Sequence, residues 1–317
     1  MYGEIGYGQE IFMYSFVYSF YFRLCRYEKK HGRSEMTRRF SGYCESFFNL
    51  WIPGKWKKQN SSVSGVTSRK RAQKIIVSLT SFPRRIDTVW LTIESLMRQS
   101  VKPDEIILWL ADSQFRGMDS LPENLRNLQK RGLTIRFCED LRSHKKYYYA
   151  LQEYPDDLVI LADDDMFYPR DMIAELLKMH RMYPEDICCM TGEVIEPEFS
   201  SVPSLWRNPG LDEHHWQHSD CLQAFTGSGT LIPPHALDRN VFDREAIRQL
   251  CPYADDLWIA FMAHRRGTRV TTLKNWRAFP ITIYGTAEGS LYYINGEGKQ
   301  NDVQWQNLLE RYGEKSC

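Results

Sequence analysis

The sequence contains no CxxC pair and no His or Cys grouped at zinc-ligand spacing, although it holds 8 Cys. Scattered at positions 25, 44, 138, 188, 189, 221, 251 and 317, these cysteines exclude a zinc ribbon and a motif-type redox centre. They read as reduced thiols of a cytosolic protein rather than as a disulfide framework. No apolar run reaches the roughly 20 residues a membrane-spanning helix needs. The best candidate, Ile11 to Leu24 (IFMYSFVYSFYFRL), is interrupted by Ser and Tyr. No basic segment precedes it and no small-residue cleavage site follows it, so it does not read as a signal peptide. Internal repeats of solenoid period are absent, and no stacking-aromatic groove motif accompanies the basic residues, which leaves nucleic-acid binding without support.

Acidic residues are scarce in one place. The formal net charge is +1, yet Arg23 to Lys74 carries 14 Lys and Arg against 3 Glu, which makes that stretch +11 and the rest acidic. A basic arm beside an acidic body suits anionic lipid headgroups better than nucleic acid. Tyr and Phe next to Arg and Lys would suit a helix lying in the headgroup region, a peripheral contact on the inner face of the cell membrane. The other reading of Ile11 to Leu24 is an extra helix packed on the rest of the chain.

Gly54 to Lys74 is polar, basic and Ser-rich, the composition of a linker. It divides the chain into an aromatic and basic extension, residues 1–74, and a body, residues 75–317. Within the body, apolar strands alternate with helical periodicity. Residues 75–79 (IIVSL), 105–110 (EIILWL), 133–137 (LTIRF) and 158–162 (LVILA) read as strands, and 88–99, 121–130 and 143–154 as helices. Such alternation predicts an α/β fold with a mostly parallel, Rossmann-like sheet covered by helices on both faces, ligands collecting at the carboxyl ends of the strands.

The strongest chemical signal is LVILADDDMFYP, where a buried strand runs into Asp163, Asp164 and Asp165. Three adjacent carboxylates repel one another and call for a cation. Oxygen ligands favour Mn2+ or Mg2+, either of which can also bridge two phosphates. A helix N-cap would use one Asp, not three. If the strand persists, Asp163 and Asp165 point to one side, which assigns the metal to them. A second acidic pair, Asp255 and Asp256, opens a helix in YADDLWIAFMAHRRG. There one Asp caps the helix and the other, Asp256, faces the cleft as a general base. Leu257, Ala260, Phe261 and His264 share one face of that helix. Between the two clusters, FTGSGTLIPPHAL places Gly227, Ser228 and Gly229 where backbone can approach a substrate or form a tight structural loop. Lys145 and Lys146 could approach a diphosphate, but they read more readily as a solvated helix face. Residues 193–222 are rich in Trp and His suited to stacking on a sugar ring.

Taken in order, these segments resemble the nucleotide-diphosphate-sugar glycosyltransferases of the GT-A fold, particularly glycosyltransferase family 2 and its bacterial surface-polysaccharide relatives. The match runs from about Ile75 to Trp276. IIVSLTSFPRR is similar to the family's opening strand and nucleotide loop, although the common form has Pro-Thr-Tyr-Asn there. ESLMRQSVKPDEIILW is similar to its helix, Gln-Ser or Gln-Thr, Pro-Asp-Glu and second strand. The resemblance implies a donor such as a UDP-sugar, its nucleotide contacted by Thr80, Phe82, Arg84, Asp112, Asp163 and Asp164. It implies a metal on Asp163 and Asp165, a catalytic base on Asp256 beside Asp255, and transfer with inversion to a glycan or lipid-linked glycan along Gly227, Ser228, Gly229 and Trp258. Two other readings compete: a nucleotidyltransferase, disfavoured because LTSFPRR lacks glycine, and a non-catalytic glycan- or lipid-binding relative, disfavoured because unused buried carboxylates cost stability.

Overall fold

The computed structural model describes residues 2–58, 63–195, 218–220, 222–273, 277–288, 291, 295 and 298–313. Three helices open the chain, α1 (Tyr2–His31), α2 (Glu35–Ser46) and α3 (Ile52–Lys58). There follow β1 (Ile75–Thr80), α4 (Val89–Met97), β2 (Glu105–Ala111), α5 (Glu123–Asn127), β3 (Leu133–Cys138), α6 (Lys145–Glu153) and β4 (Leu158–Leu161). Next come β5 (Met166–Phe167), α7 (Met172–Met182), β6 (Ile187–Cys189), β7 (Gly192–Val194), β8 (Leu222–Ala224) and β9 (Thr230–Ile232). The last elements are α8 (Arg244–Leu250), α9 (Asp255–Arg266), β10 (Val270–Thr272), β11 (Ile281–Thr282) and α10 (Gln300–Tyr312).

Seven strands form the central sheet in the order β10-β6-β9-β4-β1-β2-β3. Only β9 runs against its neighbours β4 and β6; the other pairings are parallel. The expected α/β class with a mostly parallel sheet is therefore what the chain adopts. Parallel strands buried on both faces must be apolar throughout, and β1 shows how that works. Its Ile75, Val77 and Leu79 enter one core with α4 and α7, while Ile76 enters the other with α6 and α9. Ser78 is the fully buried polar exception on β1, satisfied by donating to the Lys146 carbonyl at 2.5 Å and accepting from Trp109 Nε1 at 2.9 Å.

Two boundaries differ from the sequence reading. The helix expected over 121–130 is the short α5 followed by a 3-10 turn, Leu128–Arg131, ended by Gly132 at φ 106°. The proposed linker begins helically, because α3 covers residues 52–58. Farther on, Gly65 N donates to the Arg131 carbonyl at 2.7 Å and Thr67 N to the Pro103 carbonyl at 2.8 Å, so this stretch is strapped to the body.

Of the two readings for residues 11–24, packing on the body accounts for one face of α1. Tyr14, Tyr18 and Phe22 join the core that holds β1 and α4. Buried Glu10 takes a 2.6 Å hydrogen bond from Trp56 Nε1 and lies 3.0 Å from Arg98 Nη1. Tyr14 donates to the Tyr168 carbonyl at 2.7 Å, and Tyr18 donates to the carbonyl of Phe167. Both acceptors follow the aspartate triplet directly. The six cysteines among the described residues are free thiols, as the spacing predicts.

Candidate active site

The carboxyl ends of β1 and β4 lie side by side, Ser78 opposite Leu161. β4 leaves the ladder at Leu161, so the aspartate triplet sits at the mouth of a buried strand without being part of it. Alternation of sides nevertheless survives, since Asp163 and Asp165 are partly exposed and Asp164 is buried. Asp164 takes a 2.5 Å hydrogen bond from Ser81 Oγ and another at 2.6 Å from Arg85 Nη1. The same guanidinium nitrogen lies 3.0 Å from Asp165 Oδ2. Asp165 Oδ1 is buried without a hydrogen-bond partner.

Lys146 joins the two acidic clusters. Its ammonium lies 2.5 Å from Asp163 Oδ1 and 2.9 Å from Asp255 Oδ2, with the side chain 2% exposed. The turn Thr226–Ser228 completes the bridge from the other side. Thr226 offers its N–H (2.8 Å) and its hydroxyl (2.5 Å) to Asp256 Oδ1, and that hydroxyl lies 2.9 Å from Asp255 Oδ2. Tyr168 donates its hydroxyl to the Gly227 carbonyl at 2.6 Å and accepts from the Asp163 N–H at 2.8 Å. A Cβ at Gly227 would stand 2.0 Å from Asp163 Oδ2, so any side chain there would have to push Asp163 aside. The two acidic clusters thus meet at Lys146.

Among the described residues, five carboxylates, Asp163, Asp164, Asp165, Asp255 and Asp256, gather around two paired cations, Lys146 and Arg85. Proton affinities follow from that imbalance. Burial, then the neighbouring Asp255, pushes Asp256 up to about 7. Burial, then Asp164, does the same to Asp165, also to about 7. Burial also works against charged Asp255, but the Lys146 ammonium outweighs it and holds that carboxyl at about 2. Lys146 itself is raised: burial opposes its charge, and Asp163 and Asp255 overcome burial. His144, whose burial lowers it to about 4, is a neutral neighbour that meets the Tyr147 hydroxyl at 2.9 Å.

Several expected site residues stand elsewhere than the sequence suggests. Trp258 is fully buried, its indole N–H donating to the Val241 carbonyl at 3.2 Å, so it is core and not acceptor surface. Ser228 is likewise fully buried, bonded to Thr191 and Phe225. A Cβ on Gly229, at φ 104°, would meet Met172 Sδ at 2.5 Å, so its bareness serves close packing. Neither Asp255 nor Asp256 caps α9, whose N-cap is Ala254 without a side-chain bond. Asp255 turns inward to Lys146 instead. His264 is exposed while Leu257, Ala260 and Phe261 are buried. Thr80 spends its hydroxyl on the Trp109 carbonyl at 2.8 Å. Phe82 is half-buried under the Arg85 guanidinium, 5.4 Å from the ring centroid. Asp112 is exposed at the end of β2. Most of residues 193–222 (196–217 and 221), with the Trp and His expected to stack on sugar, lies outside the described residues.

Sequence reasoning missed Arg85 and Lys146. The short 3-10 turn Pro83–Arg85 points its two arginines apart. Arg84 is 64% exposed, 3.6 Å from Glu288, whereas Arg85 reaches the aspartates. Lys145 and Lys146 are both buried rather than solvated, Lys145 paired with Asp140 at 2.6 Å. The available signal was charge: five carboxylates at two strand and helix ends demand cations nearby, and Tyr147, Tyr148 and Ala150 mark α6 as a buried helix.

The family model described as "Glycosyl transferase family 2" matches residues 79–262, more than half of the 317 residues and a span that contains both acidic clusters. The chain belongs to glycosyl transferase family 2. It is a glycosyltransferase, and the nucleotidyltransferase reading falls. A comparison with curated proteins gives no match. Among solved structures, the chain is similar to the mannosyltransferase PcManGT of Pyrobaculum calidifontis in complex with GDP-Man and Mn2+, at 15% identity, 83% of this chain, 71% of that one and a TM-score of 0.45. It is also similar to glucosyl-3-phosphoglycerate synthase of Mycobacterium tuberculosis in complex with Mn2+, UDP-Glc and phosphoglyceric acid, at 15% identity, 38% of this chain, 44% of that one and a TM-score of 0.30. A third is TarS of S. aureus, at 13% identity, 64% of this chain, 58% of that one and a TM-score of 0.41. The chain spans less than two thirds of the length of the last two.

Proposed function

We propose that this glycosyltransferase moves a sugar from a nucleoside diphosphate donor, a UDP-sugar, to a hydroxyl of a glycan or lipid-linked glycan in surface-polysaccharide assembly, inverting the anomeric carbon. The observation that carries the reading is Lys146, whose single ammonium touches both acidic clusters and so sets them on one cleft. Residues 75–317 act as the catalytic unit and residues 1–74 as its extension.

Asp256 is the base. Both of its bonds from Thr226 fall on Oδ1, and the acceptor hydroxyl gives its proton to the other oxygen. The hydroxyl oxygen attacks the anomeric carbon from the face opposite the diphosphate, whose bond to that carbon breaks in the same displacement. Asp255 positions Lys146 and raises the basicity of Asp256, which a base working near neutral pH requires. Ser81 and Arg85 hold Asp164, a scaffold for its two neighbours. Thr80, Phe82, Arg84 and Asp112 line the nucleotide side, at the ends of β1 and β2.

A divalent cation fits the donor set. Among the described residues no three His, Cys, Asp or Glu side chains form a ready cage, yet Mg2+ and Mn2+ sites on nucleotides commonly use one or two carboxylates with phosphate oxygens. Partly exposed Asp163 and the unpartnered Oδ1 of Asp165 would supply those carboxylates. Bound there, Mn2+ or Mg2+ would neutralise charge developing on the leaving diphosphate. The test is turnover and thermal shift of the purified chain with a panel of nucleotide sugars, with Mn2+, Mg2+ or a chelator. The expected result is donor cleavage that depends on cation and on Asp256. Stabilisation by no donor, with or without cation, would refute the reading.

A further inference from the structure

We propose that the outward face of α1 and α2 docks on an anionic lipid bilayer, as a surface separate from the transfer chemistry. Glu10, Tyr14, Tyr18 and Phe22 point into the body. On the opposite face of α1, Phe12, Phe16, Phe20, Arg23, Tyr27 and Lys30 recur at steps of three and four residues, one line along the helix. All six are exposed, Phe12 to 70% and Phe16 to 59%. A matching line on α2 comprises Met36, Phe40 and Tyr43, exposed to 66%, 42% and 69%. The Phe20 and Phe40 rings meet edge to face with centroids 6.0 Å apart, which makes the two lines one surface. Exposed aromatics in such a contiguous patch are an uncommon cost for a protein surrounded by water.

Charge selects the occupant. Arg23, Lys29, Lys30, Arg38, Arg39 and Lys55 are exposed on or beside these helices. Among the described side chains of α1 and α2 the acids are few: Glu10 is buried on Arg98, Glu28 lies 3.5 Å from Arg33, Glu35 pairs with Arg39 at 2.7 Å, and Glu45 is half-buried. A second copy of this surface would bring basic side chains against basic side chains. Anionic headgroups complement them, while rings of this kind settle at the boundary between headgroups and acyl chains. No helix among the described residues is long and apolar enough to cross a membrane, so the contact is interfacial.

The full chain is to be sedimented with vesicles of phosphatidylcholine alone and of phosphatidylcholine with phosphatidylglycerol, at low and high salt. Binding is expected only to the anionic vesicles and should weaken with salt. Phe16→Ser/Phe20→Ser/Phe40→Ser and, separately, Arg23→Glu/Lys30→Glu should each lower vesicle partitioning about tenfold or more without changing the melting temperature, because these side chains lie on the surface. Failure of the wild-type chain to bind anionic vesicles at low salt overturns the proposal. So does undiminished binding by both variants, or a concentration-dependent dimer, dissolved by the Phe variant, in a chain that ignores vesicles. Should the Phe variant fold poorly, the charge-reversal pair and the salt dependence still decide.

Discussion

A carboxylate works best as a general base at neutral pH when its surroundings make it hold a proton more tightly than it does in water. Asp256 meets that condition: burial and the fixed charge of Asp255 raise it to about 7. Asp256→Asn keeps both acceptor bonds to Thr226 and removes the basic oxygen, so kcat should fall by about 10²–10⁴-fold with KM little changed. Steady-state kinetics would show it. The sign of the pH dependence follows directly. Only the ionised form accepts a proton, so kcat/KM should climb with pH through about 7 and be lost below it. Because Asp255 is the second cause of the shift, Asp255→Asn should move that limb to lower pH, which a pH–rate profile on the two proteins would detect. Gly227 tests the cleft by sterics alone. A Cβ 2.0 Å from Asp163 Oδ2 cannot be accommodated in place, so Gly227→Ala should displace Asp163 and raise the Mn2+ concentration needed for half-maximal activity, while circular dichroism stays native.

At the level of elements, the N-terminal helix is held by buried polar anchors as well as by apolar packing. Glu10 and Arg98 are 4% exposed or less in their side chains and 3.0 Å apart. Removing Glu10 takes one of two carboxylates from Arg98, which keeps Glu94 at 3.1 Å, and leaves Trp56 Nε1 without its acceptor, a loss of about 1–3 kcal/mol. Glu10→Ala should therefore lower the urea midpoint sharply or detach α1, which limited proteolysis near residue 31 would reveal. Four strands of the body were legible in the sequence because parallel strands buried on both faces must be runs such as IIVSL and LVILA. The aspartate triplet was legible for a related reason, since nothing in a helix cap requires three carboxylates. What escaped was contact between distant segments. Arg85 and Lys146 resemble surface residues by type, and only the turn at Pro83 and the burial of α6 bring them to the aspartates. The amphipathic duty of α1 was equally hidden: Tyr14 and Tyr18 differ from Phe12 and Phe16 only in a hydroxyl, yet those hydroxyls find the carbonyls of Tyr168 and Phe167.

For the stability of the whole molecule, the excess of carboxylates at the acidic site makes function and stability pull in opposite directions. A group whose proton affinity is raised by folding contributes stability that is complete below its unfolded pKa and disappears as pH rises through its folded one. For Asp256 that window runs from the ordinary carboxylate range, 3.8, to about 7. The metal-free protein should accordingly lose stability from this residue across that window, and at pH 8 it carries the full penalty of a buried charge beside Asp255. Asp256→Asn abolishes the penalty without altering shape. The two proteins should melt at similar temperatures near pH 3, below the unfolded value of 3.8, where Asp256 is mostly protonated in both folded and unfolded chains, and the variant should melt higher at pH 8. Comparing them cancels every other titrating group they share. A divalent cation held by Asp163 and Asp165 should stabilise both proteins, by about 2.7 kcal/mol at a hundredfold excess over its dissociation constant, because the variant keeps both ligands. Calorimetry at the two pH values, with Mn2+ and with chelator, checks all of this at once. Equal melting temperatures for the two metal-free proteins at pH 8 would mean that Asp256 is not a strained base, and the assignment of the proton transfer to it would have to be given up.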